Sequence, residues 1–363
     1  MRAMADPLRT PLCDLLGIRV PILLAGMAGG PTTPELVAAV SRAGGLGTFG
    51  ASGMTVERLR AAVATARGLT DAPISVNVLL APPRPPAAPD EALQEALAPV
   101  RAELGLPEHP APREPPGSPL ELMEAGLEAG ASVASVGLGD PAPVVQLARS
   151  AGAPVIAMCA TVEDARIAEA SGADAIVAQG SEAGGHRSNF TIPEAGPLPL
   201  VGTMALVPQM VDAVGVPVIA AGGIADGRGI AAALALGAMG VQIGTRFLVA
   251  AESGANPGYR TRVRSARDAD TEIITAFSGR PARGLRNRVL DTLEQAGAPS
   301  IGWPRQAAAW ADIRAEADRR GDGERIALWA GQAAGLAADE LRAEEIVRAL
   351  VDETRAVLAR LAP

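Results

Sequence analysis

His186 is the side chain best placed for proton chemistry in this chain. It closes the run Ala178-Gln179-Gly180-Ser181-Glu182-Ala183-Gly184-Gly185-His186, an apolar strand that breaks into glycine. An unperturbed imidazole titrates near 6.5, so it can take or return a proton at neutral pH. A structural histidine would sit within an element, whereas this one sits on a glycine-rich loop. A catalytic or substrate-orienting role is therefore favoured. Glu182 is the second candidate base, ranked lower because acidic residues are commonly solvated beside such turns. The other histidine, His109, lies in Glu-His-Pro-Ala-Pro and reads as a solvated loop residue.

Two more strand ends suit an anion. One reads Pro217-Val218-Ile219-Ala220-Ala221-Gly222-Gly223-Ile224, the other Gly240-Val241-Gln242-Ile243-Gly244-Thr245-Arg246-Phe247. Each ends in glycine, where backbone approaches a ligand with no Cβ in the way. Adjacent parallel strands with such ends offer clustered N–H groups to a phosphate. In (β/α)8 barrels that site commonly follows strands 7 and 8. Asn77 and Gln179 end otherwise apolar strands and are costly to bury alone. A flat heterocycle with donors and acceptors would satisfy both, and so would neighbouring backbone. Gly45-Leu46-Gly47-Thr48-Phe49-Gly50, with Asp71 downstream, matches the dinucleotide fingerprint in letters only. Its glycines leave a helix and enter a strand, the reverse of the required order.

Composition narrows the chemistry. The chain has 363 residues and a formal net charge of -8, with 2% aromatic residues. That argues against a nucleic-acid surface. Apolar runs are strand-length and interrupted, so no membrane span is expected, and Met1–Leu16 lacks the pattern of a signal peptide. Cys13 and Cys159 are the only cysteines, which suits a reducing, cytoplasmic setting. Two distant histidines and two distant cysteines offer no metal cluster. The chain contains no lysine, which excludes Schiff-base chemistry and a Walker A loop.

Eight apolar runs must position these groups: Pro21–Met27, Leu46–Ala51, Ile74–Leu80, Val133–Leu138, Pro154–Ala160, Ala175–Gly180, Pro217–Gly223 and Gly240–Phe247. Helix-like spacers between them begin at Thr33, Thr55, Thr161 and Asp226, and several end in glycine. This alternation predicts a (β/α)8 TIM barrel. Ala81–Pro119 is a Pro-rich excursion around a helical stretch, Asp90–Leu104. The expected organisation is a barrel over 1–249, a helical cap over 250–335 inserted after strand 8, and a returning segment over 336–363. Glu344–Leu361 would be the last barrel helix. The cap's many arginines would either pair with its own acids or attract an anionic substrate.

These strings resemble the nitronate monooxygenases, formerly called 2-nitropropane dioxygenases. The resemblance runs through Pro21–Gly29, Gly44–Gly47, Ala178–His186 and Ala220–Ile224. It continues through Gly244–Phe247, Ala276–Arg280 and Trp329–Gln332, and so covers nearly the whole chain. It implies an FMN-containing barrel with a helical substrate domain, acting on alkyl nitronates or nitroalkanes with O2 to give a carbonyl compound and nitrite. Carried over by position, Met27, Asn77 and Gln179 would touch the flavin ring or ribityl. Gly222, Gly223, Gly244 and Thr245 would hold the phosphate, with Gly184, Gly185 and Gln242 in the same cofactor set. His186 would sit over the flavin, taking an α-proton or binding the nitro oxygens. Ser278 and Trp303 would line the substrate pocket. Strand 4 departs from the family pattern, reading Ala134-Ser135-Val136-Gly137-Leu138 where many members carry histidine or aromatic residues, and Tyr259 is the only tyrosine. The rival activities are an FMN-dependent enoyl-acyl-carrier-protein reductase, which shares the Gly-Gly-His string, and an NADH:quinone reductase. A flavin carrier without catalysis is the non-enzymatic alternative.

Overall fold

The computed structural model describes residues 6–80, 90–108, 116–193 and 197–362. His109 and most of the Pro-rich stretches around Asp90–Leu104 lie outside the described residues. Eight short strands form the centre, numbered here 1 to 8: Ile22–Leu24, Gly47–Gly50, Ile74–Leu79, Val133–Gly137, Val155–Cys159, Ala175–Gln179, Val218–Ala221 and Gly240–Ile243. All pair in parallel. Strand 1 pairs with strand 8 and bridges to strand 2 through Leu23 and Leu46, so the sheet closes into the expected barrel.

Strand alternation decides what each side chain faces. Val76, Val78, Ala134, Val136, Ile176, Ala178, Val241 and Ile243 belong to the layer between strands and helices. Leu23, Leu46, Val133, Ile156, Val177 and Ile219 fill the barrel interior. The same parity turns Asn77, Ser135, Gln179 and Gln242 inward, above that apolar floor. The barrel interior is thus greasy below and amide-lined at its C-terminal mouth.

The helices start as the sequence predicts. Thr33, Thr55, Thr161 and Asp226 each accept a hydrogen bond from a backbone N–H in the first turn, which satisfies donors that have no intrahelical partner. The last helix, Ala343–Leu361, packs on helices Gly227–Ala235 and Pro34–Arg42 and buries Ile346, Val347, Leu350 and Val351. It completes the outer ring one residue earlier than predicted. No helix among the described residues is long and apolar enough to cross a membrane.

The segment after strand 8 differs from the all-helical expectation. It carries helices, but also two antiparallel strands, Thr271–Ile274 and Ala282–Leu285, and the second pairs with a short strand at Gly185–His186. Both strands are only four residues long. Thr271–Ile274 is rich in β-branched residues but too brief to stand out, and Ala282–Leu285 contains Arg and Gly and lacks the β-branched run that marks a strand in sequence. The pairing ties the cap to the loop after strand 6. The excursion after strand 3 also belongs with the cap. Leu93, Leu97, Val100 and Leu104 form one apolar stripe of Asp90–Leu104 and pack against Phe277, Leu290, Leu293, Trp310 and Ile313.

Arg101 fastens the two segments. Its side chain is 1% exposed and its Nε lies 2.9 Å from Asp312 Oδ2, with a second bond to the Ala309 carbonyl at 2.8 Å. Removing one partner of a buried pair strands the other charge. Arg101→Ala should therefore lower stability by about 3 kcal/mol in urea titrations. Part of that loss should return when Asp312→Ala is added, because the orphaned carboxylate is then gone. A loss within about 0.5 kcal/mol for Arg101→Ala would mean the clamp is ornamental.

Candidate active site

The mouth of the barrel has amides with hydrogen-bonding capacity to spare. Asn77 donates through Nδ2 to Ser135 Oγ at 2.9 Å, a contact set by their direct pairing across strands 3 and 4. Its Oδ1 has no protein partner among the described residues. Gln242 is 7% exposed, yet its carboxamide makes no hydrogen bond among the described residues. Neither amide end is fully sealed from solvent, so both can turn to a ligand at the mouth. A polar heterocycle seated there would take up both, so the residues fit the flavin expected there. Gln179 is more committed. Its Nε2 donates to the His186 carbonyl at 2.9 Å and its Oε1 accepts from Ser188 N at 2.8 Å. Gln179 thus clamps the loop that carries His186, with one amide hydrogen and one lone pair left over.

The glycine ends divide into those that fold the chain and those that leave room. Gly222 has φ 112°, and a Cβ there would lie 2.9 Å from Thr203 Oγ1 and 3.0 Å from Ala183 N. A Cβ on Gly184 would meet Gly331 N at 2.6 Å. Both positions are required by close backbone packing. Gly185 and Gly223 have φ 78° and 72° with open or ordinary contacts, so their glycine is needed for backbone conformation. Gly244 differs, with φ -109° and an added Cβ at 3.4 Å from Ala25 Cβ and 3.8 Å from Met27 Sδ. These two ordinary contacts are the only ones within 4 Å among the described residues, so the position leaves room that an anion could use. Thr245 opens the short helix Thr245–Leu248, and its Oγ1 accepts from Gly331 N at 3.0 Å. Met27 packs half-buried between the barrel and cap cores.

Glu182 is excluded as a free base by its partners. Both carboxylate oxygens accept from Thr203 N at 2.9 Å, and Oε2 also bonds Thr203 Oγ1 at 2.9 Å. The carboxylate caps helix Thr203–Ala213, whose N-cap residue is Gly202 and offers no side chain. A negative group at a helix N-terminus is electrostatically favoured there.

His186 stands where barrel and cap meet. Its Nε2 is 2.9 Å from Ser278 Oγ. Its ring centroid is 5.1 Å from Trp303, edge-on, and 5.4 Å from Trp329, tilted. Trp329 touches Phe277, which stacks on Trp310. Two of the chain's three tryptophans therefore contact this histidine, and the third joins the same aromatic cluster through Phe277. Desolvation, and then the nearby Arg280 charge, push the imidazole down from 6.5 to about 4. The ring is neutral at physiological pH. Ser278 and Trp303, which the sequence reading assigns to a substrate pocket, are thus brought to His186. Trp329 lies in the Trp-Ala-Gly-Gln string that carries the resemblance, yet nothing in that string marks it as a site residue.

Sequence reasoning also missed a set of buried arginines. Arg187 donates to the carbonyls of Gly180 at 2.7 Å and Gln179 at 2.9 Å, and burial lowers its pKa to about 10. Arg283 donates to the Ser181 carbonyl at 2.7 Å and to Thr271. Arg280 donates to the Asn189 carbonyl. Planar guanidinium groups suit burial against carbonyls, and these three brace the loop from Gln179 to Asn189. The exposed cap arginines behave differently: Arg262 pairs with Glu324, Arg264 with Glu340, and Arg286 with Glu272, Asp291 and Glu294. For these the ordinary reading of local ion pairing holds.

The chain is similar to known proteins along nearly its full length. The sequence model of the family described as Nitronate monooxygenase matches residues 9–353. A nitronate monooxygenase from Pseudomonas aeruginosa is 42% identical over 354 residues, covering 94% of this chain and 98% of that protein. A probable nitronate monooxygenase from Staphylococcus saprophyticus is 36% identical over 356 residues, with 97% and 99% covered. Among solved structures, a nitroalkane oxidase from Streptomyces ansochromogenes superposes with a TM-score of 0.85 at 36% identity, covering 97% of this chain and 99% of that one. FabK from Thermotoga maritima gives 0.75 at 34% identity, with 97% and 98% covered.

Proposed function

The chain belongs to the nitronate monooxygenase family, and from that premise we propose that this oxidoreductase converts alkyl nitronates, with O2, to carbonyl compounds and nitrite. FMN is the proposed cofactor. The observation that carries this reading is a neutral, half-buried imidazole held against two tryptophans at the barrel mouth, beside amides with hydrogen-bonding capacity to spare.

Each residue then has a task. Asn77 and Gln242 would supply donors and acceptors to the flavin ring or ribityl, with Met27 packed beside them. The spare donor and acceptor of Gln179 would reach the same group. Gly223, Gly244 and Thr245 would receive the phosphate where strands 7 and 8 end, with Gly222, Gly184 and Gly185 shaping the wall around it. A bound flavin supplies the one-electron oxidation of the nitronate and the passage of electrons to O2. Trp303 and Trp329 exclude water around His186, which strengthens every electrostatic contact inside. The buried arginines 187, 280 and 283 bring positive charge to the same region, which favours an anionic nitronate over its neutral parent. His186 takes the α-proton when the substrate arrives as a neutral nitroalkane. The cap over 250–335 would serve as the substrate domain, together with Asp90–Leu104.

An NAD(P)H-dependent reductase is the second reading, because the chain matches FabK over the same length. An aerobic assay separates the two. Nitrite should form from a nitronate with no added NADH. Turnover that depends on NADH and leaves nitronates untouched would favour the reductase. Turnover under neither condition would favour a flavin carrier.

A further inference from the structure

Ser278 Oγ has three neighbours in one buried network. The Arg280 carbonyl oxygen is 3.0 Å away, the Arg280 amide nitrogen 3.3 Å, and His186 Nε2 2.9 Å. A hydroxyl offers one proton and two lone pairs. The carbonyl can only accept and the amide can only donate. To bond both, the hydroxyl gives its proton to the carbonyl and one lone pair to the amide. The remaining lone pair faces Nε2, and that contact is a hydrogen bond only if Nε2 carries a proton. The reverse assignment, in which Ser278 donates to Nε2, satisfies at most two of the three contacts. Ser278 is 3% exposed, so water has little access to repair the deficit.

We infer that Ser278 is a positioning residue that holds His186 in the Nε2–H tautomer, leaving Nδ1 as the nitrogen that takes the substrate's proton. Nδ1 makes no hydrogen bond among the described residues. Gln179 fixes the backbone of the same residue through its carbonyl, and Trp303 and Trp329 limit the swing of the ring. Once Nδ1 gains a proton, Ser278 still accepts from Nε2, so the network needs no rearrangement. The sequence reading placed Ser278 in the substrate pocket. With its only proton committed to Arg280, the hydroxyl has none to offer a nitro group. Burial and the Arg280 charge keep the ring neutral at pH 7, where a single tautomer is meaningful. The proton-accepting role of Nδ1 rests on the proposed reaction, whereas the tautomer rests only on the network.

The chain has two histidines, so 15N-histidine labelling yields a readable spectrum, and the His186→Asn variant assigns the signals. Long-range 1H–15N correlation at pH 7 should show Nε2 protonated and Nδ1 bare in the wild-type protein. Ser278→Thr keeps the hydroxyl and should keep this pattern. Ser278→Ala should lose the preference, and its kcat/KM for a neutral nitroalkane should fall at least about fivefold, the scale of one lost hydrogen bond. Nitronate turnover should fall less. A proton on Nδ1 in the wild-type protein, or an unchanged tautomer in Ser278→Ala, would overturn the inference. If the wild-type tautomer is as stated but neither substrate is consumed, the reaction is wrong and the tautomer assignment stands.

Discussion

His186→Asn should reduce turnover of neutral nitroalkanes by about 10²–10⁴-fold, the usual scale of general-base assistance. Preformed nitronates have already lost the α-proton, so their turnover should fall much less. The pH dependence follows from the same environment. The neutral ring is the basic form, and with the imidazole pushed down to about 4 that form is fully populated throughout neutral pH. No histidine limb should therefore appear near 6.5 in kcat/KM for nitroalkanes. The enzyme's acid limb should lie below about pH 5, where the ring finally takes a proton from solvent. Desolvation also makes the imidazole a weak base, which gives a physical reason for nitronates to be the better substrates. Equal losses on both substrates in His186→Asn would assign the residue to nitro-group binding. No loss on either would make it structural and sink the site assignment.

Gly244→Val should yield folded protein that no longer retains FMN. The added Cβ meets only ordinary contacts, at 3.4 Å from Ala25 and 3.8 Å from Met27, and the backbone at φ -109° accepts a side chain. Apoprotein stability should stay within about 0.5 kcal/mol of wild type. FMN affinity should fall at least about 100-fold, because the side chain occupies the space proposed for the phosphate. Equilibrium dialysis with FMN and urea titration of the apoprotein read the two effects separately. The same test at Gly223 is compromised, since its φ of 72° adds a strain of about 1–2 kcal/mol for any L-residue. Full flavin retention by Gly244→Val would move the phosphate away from the end of strand 8.

The eight strands were legible because each is an apolar run bounded by a cap or a glycine, and because burial on both faces removes the alternation of a half-exposed strand. The cap sheet was not legible. Ala282–Leu285 becomes a strand through pairing with Thr271–Ile274 and with His186, partners that lie 8 or more residues away, not through its own propensity. Asp90–Leu104 was legible as a helix but not as part of the cap, since an apolar stripe does not say what it will face. Trp329 and the buried arginines were missed for a related reason. An arginine at 187 or 283 reads as a surface charge until the carbonyls of the strand 6 loop are placed around it.

Sequence alone determined the barrel, the strands that end in glycine, and the histidine that follows strand 6. These follow from local patterns: apolar runs, caps, glycines and the position of a titratable group along a strand. Tertiary structure decided what those groups can do. It tied Glu182 to Thr203 and so removed it as a base, gave part of Gln179 to the His186 loop, and left Gln242 without a hydrogen-bond partner among the described residues. It also moved His186 out of its ordinary titration range by enclosing it with Trp303, Trp329 and Arg280. Protonation and tautomer depend on desolvation and on the third neighbour of a hydroxyl, and both are set by residues about 90 to 140 positions away that only folding brings together.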